Sequence, residues 1–127
     1  AAQAGTYQER FAALGKHFLD FFQERPDSPR FFMVMGEMAG RDPELRQLLA
    51  RLQGDYTQVL ARMVQSAIDE GVFKPVDPDN TALLLKGMVD AIEGYMALGL
   101  EMDTQGLMAT GMQIVLQGLL RTEKDPA

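Results

Sequence analysis

The chain has 127 residues, 46% apolar and 24% charged, and its 12 basic and 18 acidic side chains give a net charge of 12 − 18 = −6. These values fit one globular domain with a proper core, and they exclude a disordered, collagen-like or low-complexity polymer. The absence of cysteine closes disulfide, thiolate-metal and cysteine-nucleophile chemistry. With a pI near 4.7 and no cluster of Lys and Arg, the chain lacks the electrostatic footprint that duplex DNA demands.

Every long segment has helical period, and no alternating strand pattern with a hairpin signal occurs. The expected fold is all-α, a five-helix antiparallel bundle formed by residues 1–127 as a single domain. Thr6 and Glu9 match a capping box, followed by a stripe of Tyr7, Phe11, Leu14, Phe18, Phe21 and Phe22 that stops at Arg25-Pro26. Ser28 is the expected cap of a second helix beginning at Pro29, apolar nearly all round through Phe31, Phe32, Met33, Val34, Met35 and Met38 to Gly40. Asp42 and Pro43 start the third helix and Gly71 ends it. Its apolar arc is continuous from Leu45 through Leu48, Leu52, Tyr56, Val59, Leu60, Met63 and Val64 to Ile68. Asp77-Pro78 opens a fourth helix reaching about Glu101, and Asp103 or Thr104 caps a fifth ending near Arg121, with a frayed tail to Ala127.

Glycine placement singles out the last two helices. Gly87, Gly94, Gly111 and Gly118 together cost about 3–4 kcal/mol of helix propensity, so something should compensate. Gly87, Ala91, Gly94 and Leu98 make a narrow small-residue stripe, opposite Leu85, Val89, Ile92, Met96 and Leu100. Leu107, Gly111, Val115 and Gly118 repeat the arrangement on the fifth helix. One reading is a two-fold symmetric homodimer in which these helices meet their copies as four helices. The other is a monomeric bundle whose glycines merely admit neighbouring helices of the same chain.

Catalytic patterns are lacking. Ser28 and Ser66 are the only serines and neither sits in a Gly-x-Ser-x-Gly elbow, while the single histidine, His17, has no second ligand with which to hold a metal. No phosphate loop or dinucleotide pattern occurs, so neither an enzyme nor a cofactor is expected. His17 flanks the aromatic stripe and reads as a structural boundary residue or as a ligand contact. Tyr56 and Tyr95 each could turn a hydroxyl into a cavity or onto a neighbouring carbonyl. Nine methionines and seven phenylalanines suit core filling or an adaptable apolar pocket. Lys86, Asp90 and Glu93 share one flank of the fourth helix, expected to be a solvated edge. The longest uncharged stretch, Thr104 to Leu120, contains Gln105, Gln113 and Gln117, so no membrane span is expected and the domain reads as soluble and cytoplasmic.

The run Asp42-Pro43-Glu44-Leu45-Arg46, then Ile68-Asp69-Glu70-Gly71-Val72-Phe73, then Asp77-Pro78 with Ala82, Asp90 and Gly94, resembles the C-terminal domain of tetracycline-repressor (TetR) family transcriptional regulators. The resemblance implies a helical domain that binds a small, often hydrophobic effector and dimerises through its last two long helices. It also implies control of operator DNA through an N-terminal helix-turn-helix head. That head is missing from these residues, so the chain is either a piece of a regulator or a stand-alone relative unable to read DNA. On wheel position alone, Phe18, Phe22, Tyr56, Met63, Met88 and Tyr95 are the expected walls of an effector cavity between the first, third and fourth helices. The alternatives are a dimeric scaffold with a solid core and a carrier of apolar molecules.

Overall fold

The computed structural model of the chain describes residues 2–122, without the side chains of residues 2–6 and 8. It contains five helices: α1 (Ala2–Glu24), α2 (Ser28–Ala39), α3 (Pro43–Asp69), α4 (Pro78–Ala97) and α5 (Thr104–Leu119). The all-α fold is as expected. The tail beyond Thr122 lies outside the described residues.

Three aspartates start three helices by the same chemistry. The Asp42 carboxylate accepts from Glu44 N at 3.0 Å and Leu45 N at 3.2 Å, Asp77 from Asn80 N at 2.8 Å, and Asp103 from Gly106 N at 3.0 Å. Each satisfies amide donors that the first turn leaves without a helical partner. Asp42→Ala should therefore lower stability by about 1 kcal/mol in urea denaturation at fixed protein concentration. A change within error would show that water replaces the cap.

Two expected caps are corrected. The backbone is already helical from Ala2, so Thr6 lies inside α1 rather than at its start. Its side chain is outside the described residues. Ser28 is the first helical residue of α2, and Asp27 holds the cap position without a side-chain bond. The fourth helix is shorter than expected because Gly99 takes φ +73°, a left-handed conformation that stops α4 at Ala97. Gly71, with φ +75°, closes α3 as its sequence position suggested.

The core forms where α3 and α4 cross. Val64, Ala67 and Ala82 have no exposed surface, and alanines at such positions let two helix backbones approach closely. Phe73, in the loop after α3, is the central plug. Its ring stacks on Phe11 at 5.7 Å and lies 6.1 Å from Tyr7, both on α1. The backbone on either side of it is fixed. Val72 N and Phe73 N both donate to the Ala67 carbonyl, Lys74 N donates to Leu119 O at 2.7 Å, and Arg121 N donates to Val72 O at 2.9 Å. The α3–α4 loop is thereby pinned to the end of α5 through an isolated antiparallel bridge between Phe73 and Leu120.

The arc of α3 is buried only in its second half. Leu60, Val64 and Ala67 are in the core, whereas Leu48, Leu52, Tyr56 and Val59 are exposed. The expectation of one continuous buried stripe fails: only the later turns join the core cluster that Tyr7 and Phe11 of α1, Phe73, and Ala82 and Leu85 of α4 build. α2, apolar nearly all round, likewise exposes Phe31, Phe32, Met33, Val34 and Met38.

Candidate functional site

Two regions of α4 carry features that a plain bundle does not require. The first faces α1 and α3. Lys86 is the buried charged residue among those described, 9% exposed, at a position the sequence reading assigned to a solvated edge. The correction has a simple cause. Ala82, Lys86, Val89 and Glu93 form one row along α4, and the rings of Phe18 from α1 and Tyr56 from α3 close over it.

The Lys86 ammonium is 5.9 Å from the Phe18 centroid and 5.4 Å from that of Tyr56, while the two rings are 5.8 Å apart. Both ring contacts lie within cation–π range. Its charge partner is Asp90, one turn further along α4. Asp90 also accepts from Gln53 Nε2 of α3 at 3.4 Å. The aliphatic stem of Lys86 thus lies in the interior, and its charge is met by one carboxylate and two ring faces from three helices.

Glu93 completes the row. Burial, and after it the Asp90 carboxylate, push its carboxyl up to about 6 from 4.5, with Lys86 pulling the other way. The folded chain therefore holds this proton more tightly than the unfolded chain. Stability falls as pH rises from 4.5 through about 6 and the cost is complete above that range. Glu93→Gln should accordingly raise stability by about 1 kcal/mol at pH 7.5, allowing for solvent at a half-buried site, and by nothing at pH 4. Equal denaturation midpoints at both pH values would remove the argument that Glu93 is desolvated.

Next to this row lies a small apolar cavity with about 30 Å³ of free interior. It is lined by Phe11, Phe18, Leu60, Leu85, Met88 and Met108, among others. That is room for about one water-sized body, far below the several hundred Å³ of a drug-sized ligand site. Of the six expected wall residues, Phe18 and Met88 line it. Phe22 is buried and lies 6.4 Å from Phe18, Met63 packs on the main core, and Tyr56 is 49% exposed with its ring on Phe18 and Lys86. Tyr95 is exposed and away from the cavity. The cavity touches α1, α3 and α4 as expected, α3 through Leu60, but Met108 and Met112 of α5 also line it, a helix that the expectation left out. Tyr56 is therefore on the surface, not on a buried arc. His17 is exposed, its ring edge-on to that of Phe18 with the centroids 6.0 Å apart.

The second region is the outer face of α4 and α5. On α4, Leu84 and Leu98 are 74% and 73% exposed, Gly87 and Ala91 are exposed, and a side chain added at Gly87 or Gly94 would meet nothing within 4 Å. On α5 the stripe is displaced from the expected one. Leu107 and Gly118 face outward, but Gly111 admits Met88 of the same chain and Val115 packs partly on the core. Ile114, 66% exposed, takes the outward position. Between the helices runs an open apolar groove of about 200 Å³ lined by Thr81, Leu84, Ile114, Val115 and Gly118, among others. Leu84 and Ile114 were missed because glycine drew the reading to the neighbouring rows.

Among the described residues no group of three or more His, Asp or Glu side chains is placed to hold a metal ion, and no helix is long and apolar enough to cross a membrane. No curated protein and no solved structure is significantly similar to the chain. The family described as tetracyclin repressor-like, C-terminal domain, matches residues 4–119. The match spans all five helices except the first two residues of α1, and so takes in both the Lys86 row and the α4–α5 face. The chain belongs to the tetracycline repressor-like C-terminal domain family.

Proposed function

We propose that the chain is the effector-sensing and dimerisation domain of a TetR-like transcriptional regulator. It forms a homodimer through the outer face of α4 and α5, binds a small hydrophobic molecule between its helices, and governs operator binding by an N-terminal head outside these residues. The single observation that carries the reading is the apolar α4–α5 face, where Leu84, Leu98 and Ile114 are each about two-thirds exposed or more. A contiguous apolar patch of this kind is what interaction surfaces bury. Open glycines within it let a second helix approach closely.

Effector control follows as a shift of populations. A ligand that binds one separation of the dimer better than the other moves the equilibrium by that difference and no more. The small existing cavity must enlarge to admit it, and the methionines around it, Met88, Met108 and Met112, are the side chains best able to re-pack. Light scattering should give twice the 14.1 kDa chain mass at micromolar concentration. Thermal melting against a library of apolar compounds should show saturable stabilisation by at least one class. A particle of single-chain mass at every concentration would end the dimer reading. Melting that no compound in the library moves would leave the scaffold alternative in its place.

A further inference from the structure

The Lys86 site poses a question of charge balance. The cluster of Lys86, Asp90 and Glu93 carries one positive and two negative groups, so with all three ionised its sum is 1 − 2 = −1 in surroundings built from Phe18, Tyr56 and the flank of α4. Its single ammonium is held as a bound cation would be, with two aromatic faces from two helices and a carboxylate from a third element. The lysine side chain is 11% exposed, yet its carboxylate partner Asp90 is 39% exposed and stays reachable from solvent. Phe18 belongs to both structures, forming a wall of the apolar cavity and one face over the ammonium.

We propose that Lys86 is a built-in occupant of a cation cage formed by Phe18, Tyr56 and Asp90, and that the effector is an apolar molecule bearing one ammonium group that displaces it. This rests on the reading of the chain as an effector-binding domain and names the chemical class of its ligand. The apolar body enters the cavity beside Phe18, and the ammonium takes the Asp90 carboxylate and the ring faces. Lys86, on a flexible four-carbon stem, turns out to solvent. The ligand's ammonium takes the place of the Lys86 charge, so the local sum stays at −1, whereas an anionic ligand would take it to −2 even with Lys86 in place, in a half-desolvated surrounding where no neighbouring group of the cluster offsets the cost. Displacement also has a mechanical consequence. The Lys86 contacts tie α1, α3 and α4 together, so replacing them with ligand contacts changes how these helices pack.

The test uses three molecules of nearly equal shape: 2-phenylethylammonium, 3-phenylpropionate and 2-phenylethanol. In the Lys86→Ala chain the cage is vacated and Asp90 is left without its ammonium. There 2-phenylethylammonium should raise the melting temperature by about 3–8 °C at saturation, while the anion and the alcohol do not. The native chain should show the same selectivity with an apparent affinity at least about tenfold weaker, because Lys86 competes for the site. Asp90→Asn, at a half-exposed position, should remove the response of the otherwise native chain without unfolding it, which keeps the test open if Lys86→Ala folds poorly. Stabilisation by 3-phenylpropionate or 2-phenylethanol instead would overturn the cation class and leave the effector reading standing. A response to 2-phenylethylammonium that persists in Asp90→Asn would overturn the cage. So would the absence of any response in the Lys86→Ala and native chains, the effector reading then resting on the library screen alone.

Discussion

Phe73→Ala is expected to cost about 3–5 kcal/mol of folding stability, a large share of the 5–15 kcal/mol typical of a domain. The ring is almost wholly buried between Tyr7 and Phe11, and the backbone on either side is bonded to α3 and to the end of α5. Those bonds hold the loop in place after truncation, so the surroundings cannot collapse into the vacated space and the cavity term is paid in full. Urea denaturation of the variant at fixed protein concentration measures it. A loss below about 1 kcal/mol would mean that the three segments meeting at Phe73 do not depend on its ring.

Leu84→Arg combined with Ile114→Arg is expected to weaken dimerisation by about a thousandfold or more. Both side chains line the α4–α5 groove, and each substitution occurs twice in a two-fold interface. Each lost leucine or isoleucine contact is worth about 1.5–3 kcal/mol of burial, and four like charges brought together add repulsion. Because both positions are exposed in the single chain, its helical circular dichroism should remain while light scattering reports the mass of one chain. A variant that stays dimeric at low micromolar concentration would place the interface elsewhere, for which the exposed apolar residues of α2 offer the next surface to probe. Loss of helical signal together with the dimer would show instead that a single chain cannot stand alone.

The local architecture was largely legible in the residues. Asp42, Asp77 and Asp103 each precede a helix and each caps it, since an aspartate oxygen can reach first-turn amides whatever the rest of the chain does. Gly71 ends α3 for the same reason of short range: its conformation excludes a side chain rather than depending on distant contacts. The two apolar faces of α4 also follow from spacing alone, with Leu85 and Ile92 inside and Gly87, Ala91 and Leu98 outside. Gly99 carried the same signal as Gly71 and was passed over, because the apolar run Met96-Ala97-Leu98 reads as helix on either side of the stop.

The candidate site was less legible, because it is made of relations between helices. A lysine with aspartate four residues on is an ordinary solvated pair on any wheel, and only the arrival of Phe18 from α1 and Tyr56 from α3 makes it interior. Periodicity marks which residues share a face but not how far along the helix that face is covered, so Tyr56 was read with the buried half of α3 when it stands on the open half. Likewise Gly111 and Ile114 are three residues apart on one helix, and which of them looks outward depends on where Met88 of α4 lies against α5.

The sequence by itself determined the five helices, the aspartate caps of α3, α4 and α5, the Gly71 stop and the small-residue character of α4 and α5, because these depend on forces acting over a few residues and on hydrophobic period. Tertiary structure alone decided that Lys86 is interior, that α5 contributes Met108 and Met112 to the cavity lining, and that Leu84 and Ile114 line the outward groove. Those outcomes turn on the crossing and rotation of packed helices, which fix the surroundings of each side chain and are set by the whole core at once.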